Sequence, residues 1–272
     1  MTGSVRTGRR SLGVLLVAVL VALLGAVAQP EARAATWETL IDGNSFRDRA
    51  ALQAEWNFRY PWGSDHNGTA RMYASATDNN HVYLSPSGVL NIKATRITWN
   101  EGNSSADPHL PIRYHSGAIH AKDQILVNDQ FPNYEVKGEF QAPSARGTWP
   151  AFWLTGAWSW PPESDILEFK GDNRNWFNTF RTPSDVSSTI VPVSSPGGWH
   201  SYRVWITKVS ATDVDIHYYL DGAWRGVHRG NFVGKPMWII VNLQMEGSAG
   251  SPGPSADTFY RARNVYVGRT RT

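Results

Sequence analysis

Glu163-Ser164-Asp165-Ile166-Leu167-Glu168 sets three acids within six residues, ten positions after the aromatic run Trp149-Pro150-Ala151-Phe152-Trp153. Only 18% of the chain is Asp, Glu, Lys or Arg, so such a cluster of acids calls for an explanation. Ile166, Leu167 and Phe169 make the segment read as a strand, on which residues of one parity share a face. Glu163 and Asp165 then point together, while strict alternation sends Glu168 to the other side. A bulge at Ile166–Leu167 absorbs one residue and returns Glu168 to the first face. The outer pair then stands about 13 Å apart at Cα. Side chains leaning together bring the two carboxyls to roughly 5–5.5 Å, the spacing of a retaining glycosidase and too close for an inverting one. Paired carboxyls beside flat apolar rings are what the cleavage of a glycosidic bond requires.

Working outward, Trp149, Ala151 and Trp153 share one strand face, so both indoles are candidate sugar contacts beside the acids. Trp158 and Trp160 precede Glu163 on a loop with Pro161-Pro162, and Trp160 is the expected loop-borne contact. The remaining tryptophans read as core. Short alternating runs recur along the chain: Glu55–Trp62, Val89–Ala94, Arg113–Lys122, Tyr134–Gln141, Val204–Ile206, Val214–Leu220, Trp238–Leu243 and Phe259–Val267. Ala35–Ala50 reads as a first strand and turn, and residues 98–111 as loop. With almost no helical periodicity, this pattern predicts an all-β, two-sheet sandwich in one domain, residues 35–272.

The acid motif with its prefix Gly147-Thr148-Trp149-Pro150-Ala151-Phe152-Trp153 resembles glycoside hydrolase family 16, the β-sandwich endo-glycanases that include laminarinases, agarases and carrageenases. Trp199-His200-Ser201-Tyr202, Tyr218-Tyr219-Leu220-Asp221-Gly222 and the strand Pro236–Leu243 with its Leu-Asn-Leu ending are similar to later family strands. The resemblance implies a concanavalin-like jelly roll of two curved antiparallel sheets. It implies Glu163 as nucleophile, Glu168 as acid and then base, and Asp165 between them. By position it adds Asn67, Phe180 and Asn242 to Trp149, Trp153 and Trp160 as substrate-binding residues. The expected activity is a secreted endo-β-glycosidase on a polysaccharide. A non-catalytic glycan-binding sandwich and a cell-wall transglycosylase use the same scaffold and stay open. The chain departs from the laminarinase pattern at Asn67-Gly68-Thr69-Ala70-Arg71, at Ser116-Gly117-Ala118 and at Gln244-Met245-Glu246-Gly247, so the polymer is not named.

At the other end of the chain, Arg6, Arg9 and Arg10 precede an apolar run from Leu12 to Ala28, followed by Ala32-Arg33-Ala34. This describes a secretory signal peptide over residues 1–34, with an uncleaved anchor as the alternative reading and the twin-arginine route also permitted. Residues 1–34 carry four arginines against Glu31, which accounts for the whole net charge of +3. The remainder is formally neutral, so its charge gives no argument for a nucleic-acid partner and none is expected. No other run is long and apolar enough to cross a membrane, so no membrane partner is expected once the leader is removed. There are no cysteines, so the core must stabilise the exported chain without disulfides. His115 and His120 lie five apart without an acidic companion at ligand spacing, and Arg261-Ala262-Arg263-Asn264 stand where relatives hold a structural calcium. No metal or cofactor is expected, and the chain is expected to be a monomer.

Overall fold

The computed structural model describes residues 1–3 and 35–272, so the leader assigned to residues 1–34 lies almost wholly outside the described residues. The strands are β1 (Thr36–Ile41), β2 (Trp56–Phe58), β3 (Ala70–Met72), β4 (Val82–Ser85), β5 (Val89–Arg96), β6 (Tyr114–Ser116), β7 (Ala118–Ala121), β8 (Asn133–Gln141) and β9 (Thr148–Gly156). They continue with β10 (Glu163–Glu168), β11 (Arg174–Thr182), β12 (Asp185–Pro192), β13 (His200–Lys208), β14 (Val214–Leu220), β15 (Ala223–Gly230), β16 (Met237–Met245) and β17 (Thr258–Arg271).

Ten of these strands form one sheet, in the order β15-β14-β13-β8-β17-β5-β6-β3, with β1 on β17 and β4 on β5. Seven form the other, β12-β11-β10-β9-β16-β7-β2. All pairings between named strands are antiparallel except that of β3 with β6. The result is the two-sheet sandwich the alternation predicts and the jelly roll the resemblance implies. Phe140 of β8 meets Phe152 of β9 across the layers, with ring centroids 4.9 Å apart.

Burial along the strands shows which face does what. In β8, alternate residues from Tyr134 to Phe140 are buried and the rest face solvent, as expected of a sheet with one wet side. In β9, every residue from Thr148 to Leu154 is buried. Phe152 and Leu154 enter the core, and their odd-numbered neighbours are covered instead by loops on the opposite face. That second covered face holds the site.

Two local features differ from the sequence reading. Arg113–Lys122 is not one strand: Tyr114–Ser116 belongs to the ten-stranded sheet and Ala118–Ala121 to the seven-stranded one. The chain changes layer at Gly117, where a Cβ would stand 2.4 Å from Val82 Cγ2, so only glycine fits the crossing. Secondly, Arg49–Glu55 is a helix, α1, lying between the turn expected up to Ala50 and the strand expected from Glu55. Asp48 caps it by accepting the Ala51 N–H at 2.7 Å, and the alanines, leucine and glutamine that follow are good helix formers.

Candidate active site

β10 pairs with β9 through Glu163↔Thr155 and Asp165↔Trp153, then slips, resuming at Leu167↔Phe152 and Glu168↔Ala151. Ile166 is the extra residue, and with Leu167 it is fully buried in the core. The slip puts Glu163, Asp165 and Glu168 in one row. On one side, register places Phe180 and Asn178 of β11 beside Glu163 and Asp165. On the other lie Thr155, Trp153 and Ala151, and beyond Ala151 lies Asn242 of β16. The row floors a cleft of about 680 Å³, and a smaller hollow of about 470 Å³ shares Asn67, Asp107 and Ser248 with it.

Each acid has different partners. Glu163 is partly buried and accepts the Trp160 indole N–H at 2.8 Å. Asp165 is buried, and its Oδ2 accepts from Asn178 Nδ2 at 2.8 Å. Glu168 is also buried. Its Oε1 accepts the Trp149 indole N–H at 2.8 Å, and its Oε2 accepts from Asn178 Nδ2 at 2.8 Å and faces Lys170 Nζ at 3.0 Å. Asn178 therefore ties the last two acids together through one amide nitrogen.

Electrostatics follows from burial. Removal from water raises the Glu163 carboxyl far above its ordinary range; the Trp160 hydrogen bond opposes this, and the Glu168 charge adds to it. Asp165 is also raised well above its usual value, by burial first and then by the Glu168 and Glu163 charges, with the Asn178 amide pulling the other way. Carboxyls this close do not all ionise at neutral pH, so the row holds a proton ready for transfer.

The other residues expected in the site all line the cleft, in distinct ways. Trp153 donates its indole N–H to Asn242 Oδ1 at 2.7 Å, and His66 stacks on it with ring centroids 5.7 Å apart. It forms a wall, not an open platform. Trp149 is held against Gly247, whose Cβ would come 2.7 Å from the indole, and the chain there has φ +54°. Trp160 is 52% exposed and packs on Phe180 at 5.8 Å, while neighbouring Trp158 is 82% exposed. Asn67 Oδ1 is buried without a partner, an acceptor waiting for a donor such as a sugar hydroxyl.

Sequence reasoning missed several residues here. Asn178 comes to Asp165 through pairing of β10 with β11, which spacing alone does not reveal. Lys170 follows Glu168 by two positions, and simple alternation would have placed it on the same side. His66 and Trp62 arrive from the polar loop after β2, and burial lowers the His66 pKa to about 4, leaving it neutral. The expectation that the remaining tryptophans are core is corrected: Trp37, Trp62, Trp99 and Trp224 are exposed. His200 lies away from the cleft and bonds Asp221 Oδ2 at 2.8 Å. Among the described residues, no group of three or more His, Asp or Glu is placed to hold a metal ion.

A buried row of carboxyls under an aromatic cleft on a jelly roll defines a polysaccharide-cleaving enzyme. No family model matches the chain. It is 48% identical over 235 residues to a galactan endo-beta-1,3-galactanase of Flammulina velutipes, covering 85% of this chain and 90% of that protein. The fold is similar to the crystal structure of an endo-1,3-beta-glucanase from Streptomyces sioyaensis (TM-score 0.65, 21% identity, 91% of this chain and 99% of that one). It is also similar to a non-specific endo-beta-1,3(4)-glucanase from family GH16 (TM-score 0.57, 16% identity, 80% of this chain and 84% of that one). The chain belongs to glycoside hydrolase family 16 and is an endo-glycanase.

Proposed function

We propose that the protein is a secreted, retaining endo-β-1,3-galactanase acting as a monomer. The observation that carries the substrate is the 48% identity to the galactanase over nine tenths of its length, against 16–21% for the glucanase structures. The arginines before Leu12–Ala28 and the Ala32-Arg33-Ala34 site support export.

In this reading, Glu163 attacks the anomeric carbon while Glu168 gives its proton to the departing glycosidic oxygen. The C–O bond breaks and a glycosyl ester forms on Glu163. Glu168, now a carboxylate, takes a proton from water. The water oxygen displaces Glu163, and the anomeric configuration is retained. Asp165, kept protonated by burial, stands between the two glutamates. Because Glu163 must ionise to attack, its raised pKa places the acid limb of kcat/KM above the ordinary glutamate range.

Rates on linear β-1,3-galactan, laminarin, lichenan and agarose, with the first-formed anomer read by NMR, test this. Fastest cleavage of the galactan with the β-anomer appearing first is expected. Preference for a glucan overturns the substrate, and the α-anomer appearing first overturns the mechanism.

A further inference from the structure

The acid row is not alone on the cleft floor. Lys170 stands just past β10, three-quarters buried, with its Nζ 3.0 Å from Glu168 Oε2 and 4.8 Å from the centre of the Trp176 ring. Among the described residues lining the cleft it is the one Lys or Arg. His66, neutral through burial, cannot share its part, and Asp107 adds a further negative charge at the rim. The elements flanking Glu168 bring no cation to it: β9 offers Trp149 and β16 offers Asn242 and Gln244, all neutral. Arg174, at the start of β11, reaches over Trp176 but is committed to Asp172 at 2.5 Å.

We propose that Lys170 is a positioning residue that sets the pH window of the reaction by holding a fixed positive charge against Glu168. The inference rests on the reading of Glu168 as acid and base. The geometry gives the lysine two tasks. Its ammonium is ion-paired with the same oxygen that accepts from Asn178, so the carboxylate is held between Trp149 on one oxygen and the amide and the charge on the other. Its charge also favours the ionised forms of Glu163 and Asp165 along the row. For Glu163 that form is the one the attack on the anomeric carbon needs. The Trp176 ring holds the ammonium by its negative face while adding no charge of its own.

The test is the pH dependence of kcat/KM and kcat for Lys170→Met and Lys170→Arg in the full protein, with thermal melting as a check on folding. Loss of the charge should move both limbs to higher pH by about one unit or more, because each carboxyl then protonates more easily. Lys170→Arg should restore the limbs toward their original positions. A lysine that merely packs on Trp176 would lower the melting temperature or the rate without moving either limb. A folded Lys170→Met variant with unmoved limbs, or one inactive at every pH, overturns the proposal. Should that variant not fold, Lys170→Gln carries the same expectation and the same refutation. Glu168→Gln separates the two readings: full activity there removes the acid–base assignment, whereas an inactive Glu168→Gln beside unmoved limbs in Lys170→Met removes only the role of the lysine.

Discussion

The cleft face of the seven-stranded sheet and the outer face of the ten-stranded sheet use the same materials, carboxylates among aromatic rings, to opposite ends. On the outer face each glutamate is matched with cations. Glu135 meets Arg203 at 2.6 Å and Lys137 at 3.0 Å, Glu139 meets Arg263 at 2.7 Å, and Glu38 pairs with Arg269 and Arg271. Several of these arginines lie over rings as well, Arg203 on Tyr219 and Arg263 on Trp199. Burial pushes the Glu139 carboxyl up, but Asn264 and Arg263 together draw it below its usual range. In the cleft three acids share one lysine, and Glu163 and Asp165 are pushed the other way. Charge matched by charge holds a sheet together; charge left unmatched in a dry place costs stability and supplies chemistry.

The largest expected effect tests whether the unmatched acids are the reactive ones. Glu163→Gln and Glu168→Gln should each reduce kcat/KM on the preferred polysaccharide by about a thousandfold or more while circular dichroism stays unchanged. Near-full activity in either variant would erase the contrast between the two faces.

A smaller effect concerns stability. The unfolded chain releases the Asp165 proton near pH 4, whereas the folded chain holds it to higher pH. The group therefore costs stability as pH rises through that window. Asp165→Asn should raise stability at pH 7 by about 1–2 kcal/mol, with the gain vanishing below about pH 4, as measured by urea unfolding across pH. The smallest effect should have the opposite sign. Glu139, whose folded pKa is depressed, stabilises above its unfolded pKa and loses this as pH falls. Glu139→Gln should cost about 1 kcal/mol or less at pH 7 and less still in acid.

Much of this was legible in the sequence because it depends on parity. Alternation marked many of the strands, though not β11, β12 or β15, and the spacing of Glu163, Asp165 and Glu168 made sense only with one residue out of step, which the Asp165–Leu167 slip supplies. What alternation cannot carry is which strand lies beside which. Asn178 reaches Asp165 across a strand pair, and Asn242 reaches Trp153 from 89 residues away. Nor does alternation distinguish an aromatic turned to the core from one turned to water. Trp37 and Trp205 stack with ring centroids 5.8 Å apart on the outer sheet, a place that strand pairing determines. The helix after Asp48 was missed because its seven residues offer too few turns for a period to show.

The surplus Ile166 also bears on how this hexapeptide can vary. Its side chain fills the interior, so deleting it would remove apolar packing from the core, but the strand would then alternate without a slip and Glu168 would still face the cleft. Such a deletion would weaken the core while keeping the three acids on one side, whereas inserting one more residue there would turn Glu168 inward.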